Sequence, residues 1–188
     1  MRSIWKGSIS FGLVYIPVRL YAATEDRTLH FNLLHEECGT RIRYRRWCDH
    51  CDREVEPGEI VRAYKWAPDE YVVIDDEDLE NLPLPTAKTI AIHDFVRLNE
   101  VDPVYFDKSY WLEPVEGGAK AYGLLREAMN RTGRVALAKV ALRSKESLAC
   151  VRVYPEGGVL MLETMHYPDE IRSPLSLRLD GATAVADE

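Results

Sequence analysis

Apolar and polar residues alternate at period two in many short stretches of this chain, and the 3.6-residue helical period is sustained in only one place. Near the start, Ile4, Lys6 and Ser8 oppose Trp5, Gly7 and Ile9. After Gly12 the alternation restarts, with Ile16, Val18 and Leu20 opposite Pro17, Arg19 and Tyr21, which predicts two strands joined by a tight connection. Thr28–His35 and Arg41–Trp47 read as two further strands, followed after Pro57-Gly58 by Glu59–Trp66 and Tyr71–Ile74. Asp75 or Asp76 then caps a short helix that Pro83 and Pro85 end. Lys88–Val96 and Lys108–Leu112 resume the strand pattern. Tyr122, Leu125, Ala128 and Met129 fall at helical spacing between Gly117-Gly118 and Gly133, and this is the best helix of the chain.

The stretch 134–154 predicts a hairpin. Ala136, Ala138, Val140 and Leu142 make one apolar face, Val135, Leu137 and Ala141 share the other with Lys139, Arg143 and Lys145, and Ser144-Lys145-Glu146-Ser147 supplies the turn. After a second turn at 155–158, Val159–Met165 is one more strand. Residues 174–188 lose all period and read as a tail or a shortened connector. Many short strands with one good helix predict a mainly β protein with peripheral α, a barrel in residues 1–173.

Composition bounds the function. With 188 residues, 46% of them hydrophobic, the chain can bury a core and defaults to one domain with an appendage. The apolar run ISFGLVYIPV, broken by Gly12 and Pro17, is too short for a membrane span, and the N-terminus has no signal-peptide pattern, which points to the cytoplasm. The net charge of −7 argues against nucleic acid taken globally, but its distribution does not. Residues 119–154 hold eight cations and two anions, whereas 66–118 hold three and thirteen. Such segregation suits a protein that presents a basic surface in one place only. Lys139, Arg143, Lys145, Arg131 and Arg134 are therefore candidate phosphate contacts, with Arg43, Arg45 and Arg46 as a second set.

The sharpest chemical pattern is His35-x2-Cys38-x9-Cys48-x2-Cys51, two short-spaced pairs of the kind that hold a structural zinc in ribbons, here in an insert at about 35–51. His50 is an alternative fourth ligand, and three reduced cysteines beside an ordinary histidine are the plain alternative. Tyr44 and Trp47, interleaved with the arginines of RIRYRRW, either stack on bases or anchor a core. The acidic run Asp75–Asp78 needs no metal, since carboxylates at a helix N-terminus are stabilised by its dipole. No nucleophile can be paired with a base and no glycine-rich phosphate loop occurs, so an enzyme is not expected.

Three ordered blocks carry a resemblance: IWKGSISFGLVYIPVRLYAAT at 4–24, SYWLEPVEGGAKAYGLLREAM at 109–129, and RVALAKVALRSKESLACVRVYPEGGVLMLETMHYPDEIRS at 134–173. They resemble the bacterial Ku proteins of DNA end joining over nearly all of 1–173. The resemblance implies a Ku-core β-barrel with extended arms that join two subunits in a dimeric ring around duplex DNA. It also implies a non-enzymatic role: binding double-strand break ends in non-homologous end joining, protecting them and recruiting a multifunctional ATP-dependent DNA ligase, in a bacterial, nucleoid-associated setting. A zinc-containing β-barrel that serves as a protein-interaction scaffold is the alternative. Val104, Tyr105, Phe106, Tyr110 and Trp111 are candidates for part of the intersubunit surface.

Overall fold

β1 (Trp5–Phe11) and β2 (Val14–Ala22) pair antiparallel around Gly12, with Ile9 opposite Ile16 and Trp5 opposite Leu20. This hairpin begins a closed seven-stranded barrel, seen in a computed structural model that describes residues 1–75, 77–78, 86, 88–142 and 145–177. The chain divides into two compact units, Met1–Thr24 with Leu84–Glu188, and Glu25–Pro83.

The first unit is the barrel. The 25–83 unit contributes β3 (Trp47–Cys48), β4 (Arg53–Glu54), β5 (Arg62–Ala67) and β6 (Glu70–Ile74). Back in the first unit come β7 (Thr89–Arg97), β8 (Phe106–Pro114), β9 (Arg134–Leu142), β10 (Lys145–Val153) and β11 (Leu160–Met165). Around the barrel the order is β1-β2-β8-β11-β10-β9-β7, and parallel pairing of β1 with β7 closes it. That closure needs a glycine: a Cβ at Gly7 would lie 2.4 Å from the Lys88 carbonyl and 2.2 Å from the Trp5 ring.

Residues directly opposite one another share a face, so the registers decide what lies inside. Leu20 faces Leu112, Leu112 faces Leu160, Leu162 faces Val151, Ala149 faces Ala138, and Val140 faces Ile90, and all belong to one buried cluster. The helix α1 (Ala119–Thr132) adds Tyr122, Leu125 and Met129 to that cluster, packing against β2, β9 and β10. Ala136, Ala138 and Ala149 leave room for it. Ala128, expected on the apolar face, is exposed. Gly133 ends the helix with φ +63°, a left-handed conformation that costs glycine nothing. The Tyr122 hydroxyl donates to the Leu112 carbonyl and accepts from Leu160 N–H, both at 2.7 Å, joining the helix to the β8–β11 seam.

Several expectations need correction. Thr28–His35 forms no strand, and of Arg41–Trp47 only an isolated bridge, Leu34 to Arg41, and the start of β3 are paired. Instead, Ile42 N–H to the Leu33 carbonyl and His35 N–H to the Thr40 carbonyl close a turn around His35–Thr40, with no ladder beyond it. The β9–β10 ladder begins earlier than expected, because Lys145 and Glu146, read as turn residues, pair with Leu142 and Ala141. The outer face of β9 is also more covered than alternation implied, with Val135 and Ala141 buried. Asp75 caps as expected, accepting from Asp78 N–H at 2.8 Å where Glu77 and Asp78 are helical, while residues 79–85, into which that helix was read, and residues 178–188 lie outside the described residues. Pro174–Ser176 is a single 3-10 turn. No helix among the described residues is long and apolar enough to cross a membrane.

Candidate nucleic-acid interface

In the barrel, the expected cations fall into two groups rather than one patch. Lys139 stands on the outer face of β9, and Lys145 opens β10 beside Leu142, so these two lie towards the β9–β10 turn. Arg134 opens β9 and Arg131 sits in the last turn of α1, at the opposite end of the strand. Five residues of strand separate Arg134 from Lys139, roughly 17 Å at about 3.4 Å per residue. Arg143 lies outside the described residues.

Most of these charges already have partners. Lys139 Nζ is 3.3 Å from Glu146 Oε1, and the same carboxylate accepts from the Thr86 hydroxyl at 2.7 Å. The Thr86 hydrogen bond, then Lys139, holds the Glu146 carboxyl below its usual range. Lys145 Nζ lies 3.5 Å from Glu170 Oε1. Arg152 is bound to Glu163 through two contacts of 2.7 and 3.2 Å, with the Glu163 side chain only 11% exposed. Arg134 donates to the Phe95 carbonyl and Arg126 to the Gly158 carbonyl. The surplus counted over 119–154 is thus partly offset by Glu163 and Glu170, carboxylates that the chain supplies from beyond that window. Lys120 and Arg131 are exposed, with no ion-pair partner among the described residues.

The 25–83 unit presents a different surface. No described residue of it is buried. The segment 42–46 runs outside any strand, and along it Arg43 and Arg46 are exposed without an ion-pair partner among the described residues, whereas Arg45 Nη1 meets Glu54 Oε2 at 3.2 Å. Arg53 and Glu59 form a two-pronged contact of 2.6 and 3.0 Å that, with the Glu56 N–H, draws the Glu59 carboxyl down to about 2. Tyr44 is 85% exposed and Trp47 half-exposed, so within this chain neither anchors a core. On the β5–β6 hairpin Tyr64 stands opposite Val72 with Trp66 next along, and all three are exposed, Trp66 by 72%. The alternation of β5 and β6 was legible, but nothing in it announced that both faces would stay uncovered. By contrast Tyr110 packs on the barrel core and Trp111 rests edge-on against Tyr154 at 4.9 Å, positions that belong to the barrel.

The four expected zinc ligands fall into two pairs. His35 Nδ1 lies 3.2 Å from Cys38 Sγ across a turn closed by Gly39 N–H to the His35 carbonyl and His35 N–H to the Thr40 carbonyl. The hydroxyl and backbone N–H of Thr40 face the Cys38 sulfur and lower its pKa. Cys48 is lowered in the same way, by the backbone N–H and thiol of Cys51 and by the His50 N–H. No group of three or more His, Cys, Asp or Glu side chains among the described residues is gathered closely enough to hold a metal. Cys150 is a different kind of thiol: burial in the barrel pushes its pKa up to about 12.

Residues 10–188 match the family model described as the Ku70/Ku80 beta-barrel domain. The chain belongs to the Ku family. It is 61% identical over 177 residues to the Non-homologous end joining protein Ku of Symbiobacterium thermophilum, covering 94% of this chain and 44% of that protein. The Ku protein of the same description from Bacillus subtilis is 47% identical over 174 residues, covering 92% of this chain and 55% of its own length. That of Archaeoglobus fulgidus is 46% identical over all 188 residues and 74% of its own length. The chain therefore spans about half the length of several Ku relatives, and its seven-stranded barrel with one capping helix corresponds to the part that the family model describes.

Proposed function

We propose that this protein binds the ends of double-stranded DNA as a homodimeric ring in non-homologous end joining. The observation that carries the reading is the 25–83 unit, in which no described residue is buried while Phe31, Tyr44, Tyr64 and Trp66 stand exposed alongside Arg41, Arg43 and Arg46. Isolated two-stranded sheets are marginal in water, and apolar surface on this scale marks an interaction site. A second copy supplies the missing apolar cover, and the arginines that remain free meet phosphate.

Contacts to phosphate and sugar position a protein without reading sequence, which suits broken ends of any sequence. The names of the relatives, each a non-homologous end joining protein, support the same reading. The role is one of binding and needs no catalytic residue. An ATP-dependent DNA ligase is the partner that acts next, on ends held by the dimer, and the bacterial nucleoid is where both work.

The test is topological. Protein is loaded on linear duplex, the duplex is circularised with an added ligase, and the salt is raised. Retention on that circle, with negligible binding to a circle closed beforehand, is the expected result. Equal affinity for linear and pre-closed DNA overturns the ring, and binding that ignores salt favours a protein-interaction scaffold.

A further inference from the structure

We infer that the apolar groove between α1 and the β1–β2 turn docks an acidic, amphipathic segment of a partner protein, its apolar side chains in the groove and its carboxylates on Arg97, Arg131 and Arg134. The groove is a cavity of about 550 Å³ in the barrel unit, within the roughly 300–1,000 Å³ of ligand sites. Phe11 and Phe95 line it, their rings edge to face at 6.1 Å between centroids, together with Val14 of β2 and Leu124, Ala128 and Met129 of α1. Among the described residues along it only Thr132 and Arg134 are polar, and the Thr132 hydroxyl already donates to the Ala128 carbonyl at 2.8 Å.

The apolar arc of α1 is wider than the barrel covers. Tyr122, Leu125 and Met129 fill the barrel side, whereas Ala121, Leu124 and Ala128, at helical spacing, form a second stripe beside it. Leu124 is 65% exposed. Val14 on β2 is exposed as well, and Leu13, next to it at the tip of the turn, is 99% exposed. An apolar arc covered on one side only, facing a second apolar wall, is the shape into which an amphipathic helix lays its apolar face.

Charge selects the occupant. Arg97 ends β7 directly opposite Arg134 of β9, on the sheet face that also carries Phe95, and Arg131 stands three residues before Arg134 in the last turn of α1. Like charges directly opposite one another destabilise a sheet, and an anion between them removes that cost. All three arginines are exposed, with no ion-pair partner among the described residues; Glu100 engages the N–H of Arg97 at 2.7 Å, and Arg134 donates only to the Phe95 carbonyl. Guanidiniums bind carboxylates through paired hydrogen bonds. Phosphates of a duplex satisfy the rim equally but leave the apolar floor bare, so a peptide that carries both kinds of group fits better. Arg131 and Arg134, expected from the sequence to hold phosphate, are thereby assigned to a protein partner. The groove belongs to the barrel unit alone, so the inference stands whether or not the protein encircles DNA.

The experiment uses the whole chain and a panel of labelled synthetic helical peptides, with Leu or Phe at i, i+3, i+4 and i+7 and Asp or Glu on the flanks, titrated by fluorescence anisotropy. The acidic peptides should bind, and counterparts with Lys in place of each Asp and Glu should not. Leu124→Asp should weaken binding at least about tenfold, because it buries an unpaired carboxylate in an apolar groove, while circular dichroism and affinity for linear duplex stay unchanged. Arg97→Glu combined with Arg131→Glu should lose the acidic peptides and gain the basic ones, a reversal that misfolding cannot produce. Equal binding of acidic and basic peptides, or binding of neither, overturns the proposal. A lower light-scattering mass in Leu124→Asp overturns it by giving the groove to a second copy, and full displacement of the peptide by a short duplex overturns it by giving the rim to phosphate.

Discussion

Leu160 and Leu162 in the barrel are fully buried, while Tyr64 and Trp66, on a β5–β6 hairpin that alternates just as regularly, stand mostly in solvent. The difference is closure. Seven strands that return on themselves leave no open edge, and each inward side chain meets inward side chains from its neighbours and from α1. Two strands offer only each other, so in the 25–83 unit the same alternation produces a surface. Charge follows a similar division: Lys139, Lys145 and Arg152 of the barrel are tied to Glu146, Glu170 and Glu163, whereas Arg43 and Arg46 have no ion-pair partner among the described residues.

Core truncation gives the largest contrast. Leu162→Ala should lower the unfolding free energy by about 2–5 kcal/mol, because a cavity opens in a packed interior. Trp66→Ala should change it by less than about 0.5 kcal/mol, yet shift the light-scattering mass towards the monomer. Similar losses of stability in both would mean that the hairpin has a cover within its own chain. Next in size is Tyr122→Phe, measured by denaturant unfolding. It leaves the Leu112 carbonyl and the Leu160 N–H without their buried partner, at about 1–3 kcal/mol.

DNA binding sharpens the charge contrast. Removing a cation that neutralises one phosphate should reduce the slope of log affinity against log salt by roughly one. Arg43→Ala and Arg46→Ala should each do so, while Lys139→Ala, already neutralised by Glu146, should move the slope less. A larger effect at Lys139 would return the interface to the barrel hairpin. Thiol reactivity divides the two regions in the same way: Cys38 and Cys48, with lowered pKa values, should react quickly with a thiol reagent, and Cys150 only on unfolding, given its burial and raised pKa.

The smallest effect is a pH dependence confined to the 25–83 unit. The Glu59 carboxyl is drawn from an ordinary 4.5 to about 2 by Arg53 and the Glu56 N–H. A depressed pKa stabilises fully above the ordinary value, and that stability is lost as pH falls from there towards the depressed one. Protease sensitivity near 53–59 should therefore rise as pH drops below about 4.5, and Glu59→Gln should abolish that dependence. Unchanged sensitivity in both proteins would show that the Arg53–Glu59 pair orders nothing.

Local pattern was enough to reveal the barrel's parts. Alternation around Gly12 placed β1 and β2, the spacing of Tyr122, Leu125 and Met129 placed α1, and Gly133 marked its end, since each depends on neighbours within a few residues. The Cys/His spacing was legible too, but among the described residues the structure pairs His35 with Cys38 and does not gather the four side chains at one point. Three things required the tertiary structure. Thr28–His35 and Arg41–Trp47 alternate like strands, but apart from the Leu34–Arg41 bridge and the Trp47 end of β3 they pair with no strand among the described residues. A charge window over 119–154 could not foresee that Glu163 crosses from β11 to Arg152, or that Glu170 reaches Lys145. Nor could period alone say which alternating stretches would be buried, because burial is decided by what packs against a face, and the described residues of the 25–83 unit supply no core of their own.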